Sequence, residues 1–325
     1  MDRIRLSATP RAQQAVALGV LAPTYEPFRR VRIDIEGLDR LPAEPVIFAM
    51  NHTDRYNYWP FQYRLWRTSG RFTATWVKGK YYEHPVVARF MELTNNLPTV
   101  SRGYLVARDF LNVLGRKPTE AEYMELRARV DAVAKNTARS SEATVPPALF
   151  RTPRDMLGRP FDPTRESWED AILAVFKRMM TRFLALHDEA FALGLDLIIF
   201  PQGTRSVRLS RGHIGLAQIA LAYQKTVVPV GCSGSDQVYP GSNPLPRRGH
   251  VVYRIGEPLR YADAADCHIE EPFVPFRAAD EERHRPTFQR YVDRVMDRIN
   301  GLVDPPYRFA DEQESEGVEG VDRFV

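Results

Sequence analysis

Two stretches constrain this chain more than any others: residues 47–57 (IFAMNHTDRYN) and residues 198–206 (IIFPQGTRS). In each, an apolar run of strand length stops abruptly at a polar turn, the pattern of a short buried strand that delivers side chains at its end. Further apolar runs at 31–35, 72–77, 97–100, 226–230 and 251–255 read as strands. Longer periodic segments at 58–66, 85–93, 119–136, 168–193, 212–223 and 288–302 read as helices between them. The alternation predicts an α/β fold: a mixed, largely open sheet flanked by helices, in one domain with an inserted helical and irregular segment.

Ligand residues in such sheets collect where strands end. His52 follows the first apolar run directly. With an ordinary pKa near 6.5, a histidine fixed there can be neutral and serve as a general base, although a structural histidine fits one residue equally well. Lys78 follows the strand at 72–77, Arg102 the strand at 97–100, and Arg205 the strand at 195–200. Isolated surface cations are ordinarily solvated, but three at strand ends make a reasonable site for phosphate or carboxylate.

Together these stretches resemble the glycerolipid acyltransferases, the family of lysophosphatidic acid and glycerol-3-phosphate acyltransferases. That family carries Asn-His followed by four residues and an Asp, and later Phe-Pro-Glu-Gly-Thr-Arg-Ser. Two further blocks resemble it: Lys78, Pro85 and Ser101-Arg102-Gly103 its acceptor-binding segment, and Val227-Val228-Pro229-Val230-Gly231 its last conserved strand. The likeness spans roughly residues 45–105 and 165–260. Both acidic positions depart from it, as Asn57 stands where the family has Asp and Gln202 where it has Glu.

The resemblance implies an O-acyltransferase with His52 as base, oriented by Asn57. Asp54 is a substitute acid, or simply a turn residue accepting backbone N–H bonds. Lys78, Arg102, Gln202, Gly203, Thr204 and Arg205 would bind substrate, and backbone N–H groups around Gly203 would face the oxyanion. The implied partners are an acyl thioester donor, acyl-CoA or acyl-carrier protein as co-substrate, and a lysophospholipid or other phosphate-bearing acceptor. A cytoplasmic protein peripheral on the inner face of the membrane is implied as well. No further cofactor, metal or nucleic acid is implied. Alternatives are a silent lipid-phosphate-binding member of the fold, a hydrolase, or acyl transfer to a non-glycerol acceptor. No Gly-x-Ser-x-Gly elbow suggests a covalent acyl-enzyme.

Residues 1–44 read as a helix and an entry strand. The helix at 11–21 is either packed on the body or an interfacial anchor. The acyltransferase domain occupies 45–310, with an insertion at about 104–165. Within it Thr119-x-x-Glu122 signals a capping box, and 140–167, rich in Pro, Arg and Ser, reads as an irregular excursion, a lid or docking element over the sheet edge. The acidic residues 311–325 read as a disordered tail. Trp59, Phe61, Tyr63 and Trp66 are core or an acyl-binding stripe. The formal charge of +4 suits either solubility or attraction to anionic surfaces. Cys232 and Cys267, lone and far apart, give neither zinc spacing nor a disulfide framework, which favours a reducing compartment. No stretch reaches transmembrane length.

Overall fold

Strand β2 (Ile47–Met50) lies at the centre of the fold because it is apolar on both faces. Successive side chains of a strand point to opposite sides. Ile47 and Ala49 enter one core with the helices Trp168–Ala192, Gly215–Ala222 and Ala278–Leu302, whereas Phe48 and Met50 enter a second with the helix Tyr58–Ser69 and the N-terminal segment. The computed structural model describes residues 1–25, 31–137, 145–310 and 320. The acidic tail expectation falls almost wholly outside these residues.

The other strands are β1 (Val31–Glu36), β3 (Thr73–Lys78), β4 (Asn96–Thr99), β5 (Arg154–Asp155), β6 (Pro160–Phe161), β7 (Asp196–Ile199), β8 (Val227–Ser233) and β9 (Gly249–Ile255). A seven-stranded sheet runs β1-β9-β8-β2-β7-β3-β4, with β5 and β6 as a separate hairpin. Only the β8–β9 pairing in the large sheet is antiparallel. The fold is therefore α/β with a mixed sheet flanked by helices. Because β2, β7, β3 and β4 run the same way, their carboxyl ends form one edge, where open α/β sheets place ligands.

Local signals account for most boundaries. Gly70 ends the helix Tyr58–Ser69 in the left-handed conformation (φ 72°), a shape that suits a residue without Cβ. Pro85 opens the helix Pro85–Leu93 at its first position. Thr119 and Glu122 form the reciprocal capping box of the helix Glu120–Ala134. The last helix starts at Ala278, well before the expected 288. Pro286 lies inside it, where the missing N–H reads in sequence as a break.

The insertion differs most from expectation. A helix Arg102–Leu114, absent from the sequence reading, follows β4 directly, with Ser101 as N-cap and Gly115 as its left-handed end. It packs with Glu120–Ala134, the short helix Ala148–Arg151 and the start of Trp168–Ala192 around Phe110, Leu126, Leu149, Phe161 and Trp168. Buried Asp109 ties this unit together, accepting from Arg154 at 2.8 and 2.5 Å and from the Trp168 indole at 2.7 Å. Within 145–167 the chain is largely irregular as expected, with one short helix, a two-residue-strand hairpin and turns, and it packs on a helical unit with its own core.

The N-terminal segment folds as helix Arg11–Val16, a π-helical turn Ala17–Leu21 and helix Ala22–Tyr25. Ala17, Leu21 and Tyr25 are buried, while Leu18 and Val20 are exposed. Gln13 donates to the carbonyls of Thr73 and Thr94 at 3.0 and 2.6 Å, docking the segment beside β3 and β4. No described helix is long and apolar enough to cross a membrane.

Candidate active site

Asn51, the first residue past β2, fixes where the His52 loop begins. Its amide accepts from the Cys232 N–H at 2.7 Å and donates to the Cys232 carbonyl at 2.9 Å. This side chain thereby prolongs the β2–β8 ladder by one step. His52 comes next, its ring stacked on Phe200 with centroids 4.1 Å apart. Its own backbone joins the two motif loops. The His52 N–H donates to Gln202 Oε1 at 3.0 Å, and the Ser206 N–H donates to the His52 carbonyl at 2.9 Å.

Asn57 sets the state of the imidazole. Its Nδ2 donates to the Asn51 carbonyl at 2.7 Å, which turns its Oδ1 toward His52 Nδ1, 3.3 Å away. An oxygen there can only accept, so Nδ1 carries the proton and Nε2 is left with its lone pair. Asn57 is fully buried, and its carbonyl accepts from the Tyr253 hydroxyl at 2.6 Å. Burial lowers the His52 pKa to about 3. The Asn57 contact opposes that shift, and the charges of Arg205 and Lys78 add to it. The ring is therefore neutral across ordinary pH, and both cations lie within its electrostatic reach.

Gln202 uses both ends of its amide, its Oε1 on His52 and its Nε2 toward the Arg208 carbonyl at 3.2 Å and Ser210 Oγ at 3.4 Å. A glutamate could accept the first bond but not donate the second. The same holds for Asn57 and the Asn51 carbonyl. Each of these two amides is thus matched by a carbonyl that an amide satisfies and a carboxylate would repel.

Asp54 is buried in the turn beneath the loop, accepting from the Tyr56 N–H at 2.8 Å and the Thr53 hydroxyl at 2.9 Å. Burial raises its pKa to about 6, offset in part by Ser235, Tyr56 and Thr53. Its hydrogen bonds are those of a turn residue, and His52 is not among its partners.

Gly203 takes the left-handed conformation (φ 68°) and spends its N–H on the Phe200 carbonyl at 3.0 Å. That donor is committed to the turn, so the expectation of oxyanion donors around Gly203 passes to the neighbouring N–H groups. Thr204 is buried beside it. Arg205 is exposed and has no ion pair among the described residues. Lys78 ends β3. Arg102 is placed otherwise than expected. As the first residue of the helix Arg102–Leu114 it pairs with Asp131 at 3.1 Å and Glu281 at 3.3 Å, over the Phe176 ring. Its guanidinium holds three helices together instead of standing open beside Arg205 and Lys78.

Sequence reasoning missed the positioning roles of Asn51, Phe200 and Tyr253. Only Asn51 had a signal, since a polar side chain ending an apolar strand must find partners.

Comparison with known proteins adds little. No family model matches the chain, and no curated protein matches it. Among solved structures, the 1-acyl-sn-glycerophosphate (LPA) acyltransferase PlsC from Thermotoga maritima is similar at 13% identity and a TM-score of 0.38, over 88% of this chain and 78% of that one. At that level the likeness carries no argument about function.

Proposed function

We propose that this protein transfers an acyl group from a thioester to a hydroxyl of a phosphate-bearing lipid acceptor, with His52 as general base. The observation that carries this reading is the chain Asn51 carbonyl, Asn57 amide, His52 Nδ1, which leaves Nε2 bare at the carboxyl end of the central strand. In the reaction Nε2 takes the acceptor's hydroxyl proton as the oxygen attacks the thioester carbon. The C–S bond then breaks, and the proton passes from the imidazolium to the departing thiolate. With the Gly203 N–H committed, an oxyanion donor from this turn falls to the next amides, notably that of Arg205. The Arg205 side chain and Lys78 supply positive charge for the phosphate.

The aromatic stripe lines a cavity of only about 50 Å³, which would have to widen to take an acyl chain. Trp59 and Trp66, half-buried, line a crevice with Val16, Leu21, Tyr58 and Phe90, whereas Phe61 and Tyr63 are core. The Tyr58 ring is 6.2 Å from Phe200, on which His52 stacks. This favours core for Phe61 and Tyr63 and leaves only Trp59 and Trp66 as candidates for an acyl contact.

A second reading, lipid-phosphate binding without turnover, is favoured by the loss of both acids and by an imidazole too weakly basic, at about 3, to take a hydroxyl proton readily. Thiol release from a series of acyl-CoAs over a panel of lysophospholipids separates the two. Acyl transfer predicts acceptor-dependent release that falls by about 10²–10⁴ in His52→Ala with unchanged thermal melting. No release with any pair supports binding alone.

A further inference from the structure

A histidine that turns cationic in a reaction is ordinarily steadied by a carboxylate. Among the described residues no carboxylate accepts from the His52 ring. Its Nδ1 faces the neutral Asn57 amide, and Asp54 is bonded to Thr53 and Tyr56. Arg205 and Lys78 both act against a charge on the imidazole. A proton taken by Nε2 would therefore leave an imidazolium within reach of two cations, with one neutral acceptor.

The imidazole lies flat on the Phe200 ring, centroids 4.1 Å apart and planes 20° from parallel. The backbone fixes that ring. Phe200 directly follows β7, its carbonyl accepts from the Gly203 N–H at 3.0 Å, and the Pro201 carbonyl accepts from the His213 N–H at 2.8 Å. The Tyr58 ring meets Phe200 edge-on, 6.2 Å away at 67°. The face of a phenyl ring carries the negative part of its quadrupole, so it attracts a cation held over it. That attraction changes an equilibrium by about two- to thirtyfold as the site goes from wet to dry. A neutral imidazole gains none of it. The contact is thus stronger after proton transfer than before, which is the condition for lowering a barrier.

We propose that Phe200 stabilises the positive charge that His52 gains in the reaction, taking part of the task a carboxylate at position 57 would perform. This rests on the acyl-transfer reading. The acceptor's hydroxyl proton moves to Nε2, the charge spreads over the ring stacked on Phe200, and it is lost when the proton passes to the departing thiolate. Phe200 acts through His52 and is a positioning residue.

The test replaces Phe200 in the full chain by mono-, di- and trifluorinated phenylalanine. These keep the ring's shape and progressively remove the negative charge from its face. The imidazole is followed by nitrogen-15 NMR in two backgrounds, with melting recorded throughout. In the Asn57 chain near pH 4, a pKa of about 3 leaves roughly a tenth of the rings charged. In Asn57→Asp, where His52 protonates at higher pH, the whole titration is recorded. Proton binding at His52 should weaken stepwise with each fluorine, by about tenfold at the trifluorinated ring. Equal binding across the series, or tighter binding with more fluorine, overturns the proposal and leaves Phe200 as packing. Should the trifluorinated chain or Asn57→Asp fail to fold, the first two steps in the Asn57 chain still decide. Thiol release, run alongside, should slow in the same order through kcat, with acceptor KM unchanged. Release without fluorine-dependent proton binding rejects the role of Phe200 alone, and fluorine-dependent proton binding without release rejects the transfer reading alone.

Discussion

Around His52 three buried side chains are neutral amides that each bridge a donor and an acceptor, whereas outside β4 the buried polar side chains are charged and paired. Asn51, Asn57 and Gln202 hold the first region. In the second, Arg102 faces Asp131 and Glu281, Arg154 faces Asp109 at 2.5 Å, and Arg129 faces Glu169 at 2.7 Å. The difference separates structural cations from candidate ligand-binding ones. An arginine embraced by carboxylates is part of the scaffold. Arg205, exposed beside a histidine and without a carboxylate among the described residues, is placed to meet an anion from outside.

Arg102→Ala and Arg205→Ala set the two regions directly against each other. Removing Arg102 takes one partner from each carboxylate, although Asp131 keeps Arg127 at 3.0 Å and Glu281 keeps the Gln218 amide at 3.1 Å. It should lower unfolding stability by about 1–3 kcal/mol, less than a broken buried pair that leaves its partner alone. Its effect on acceptor KM should stay within about threefold. Arg205→Ala should do the reverse, raising acceptor KM about ten- to a hundredfold for a charge-assisted contact with little change in stability. Denaturant unfolding and initial rates read both, and interchangeable effects would break the comparison.

Placing acids at positions 57 and 202 is the next largest change. Asn57→Asp takes the donor from the Asn51 carbonyl, and Gln202→Glu takes it from Arg208 and Ser210. Each also buries a carboxylate, and we expect a loss of about 1–3 kcal/mol at neutral pH. If either variant unfolds at the same denaturant concentration as wild type, the amides are not held as described.

Asp54 gives the smallest effect. Its folded pKa of about 6 lies above the ordinary 3.8. Between those values the folded state binds the extra proton, so stability falls as pH rises through this window and the penalty persists above it. Asp54→Asn removes the titration. After loss of one acceptor oxygen it should gain about 1 kcal/mol on wild type between pH 4 and pH 7. Parallel stability curves for the two proteins would contradict this.

Much of the framework was legible because the central strands are short, apolar and bounded by polar turns, so β2 and β7 could be read with their ends. The capping box at Thr119 and the glycine at Gly70 marked helix limits by local chemistry alone. The helix Arg102–Leu114 was hidden because Ser101-Arg102-Gly103 also reads as a binding motif, which obscured Ser101 as an N-cap. The role of Arg102 could not be read, since its partner Glu281 lies far along the chain and only the packing of the last helix brings it near. The amides at Asn57 and Gln202 looked like losses in sequence. The carbonyls that give each amide hydrogen a partner appear only once the loops are folded together.

The proposed chemistry turns on one state of His52: a neutral ring with Nδ1 protonated and Nε2 bare. Nitrogen-15 NMR of the imidazoles between pH 4 and pH 8, with the His52 signals assigned by their disappearance in His52→Ala, tests it most directly. A ring held in this way stays in the Nδ1–H tautomer throughout and shows no titration above about pH 4, and in Asn57→Asp its pKa rises, because a carboxylate favours the imidazolium. A His52 that titrates near 6.5, or that carries its proton on Nε2, would contradict it.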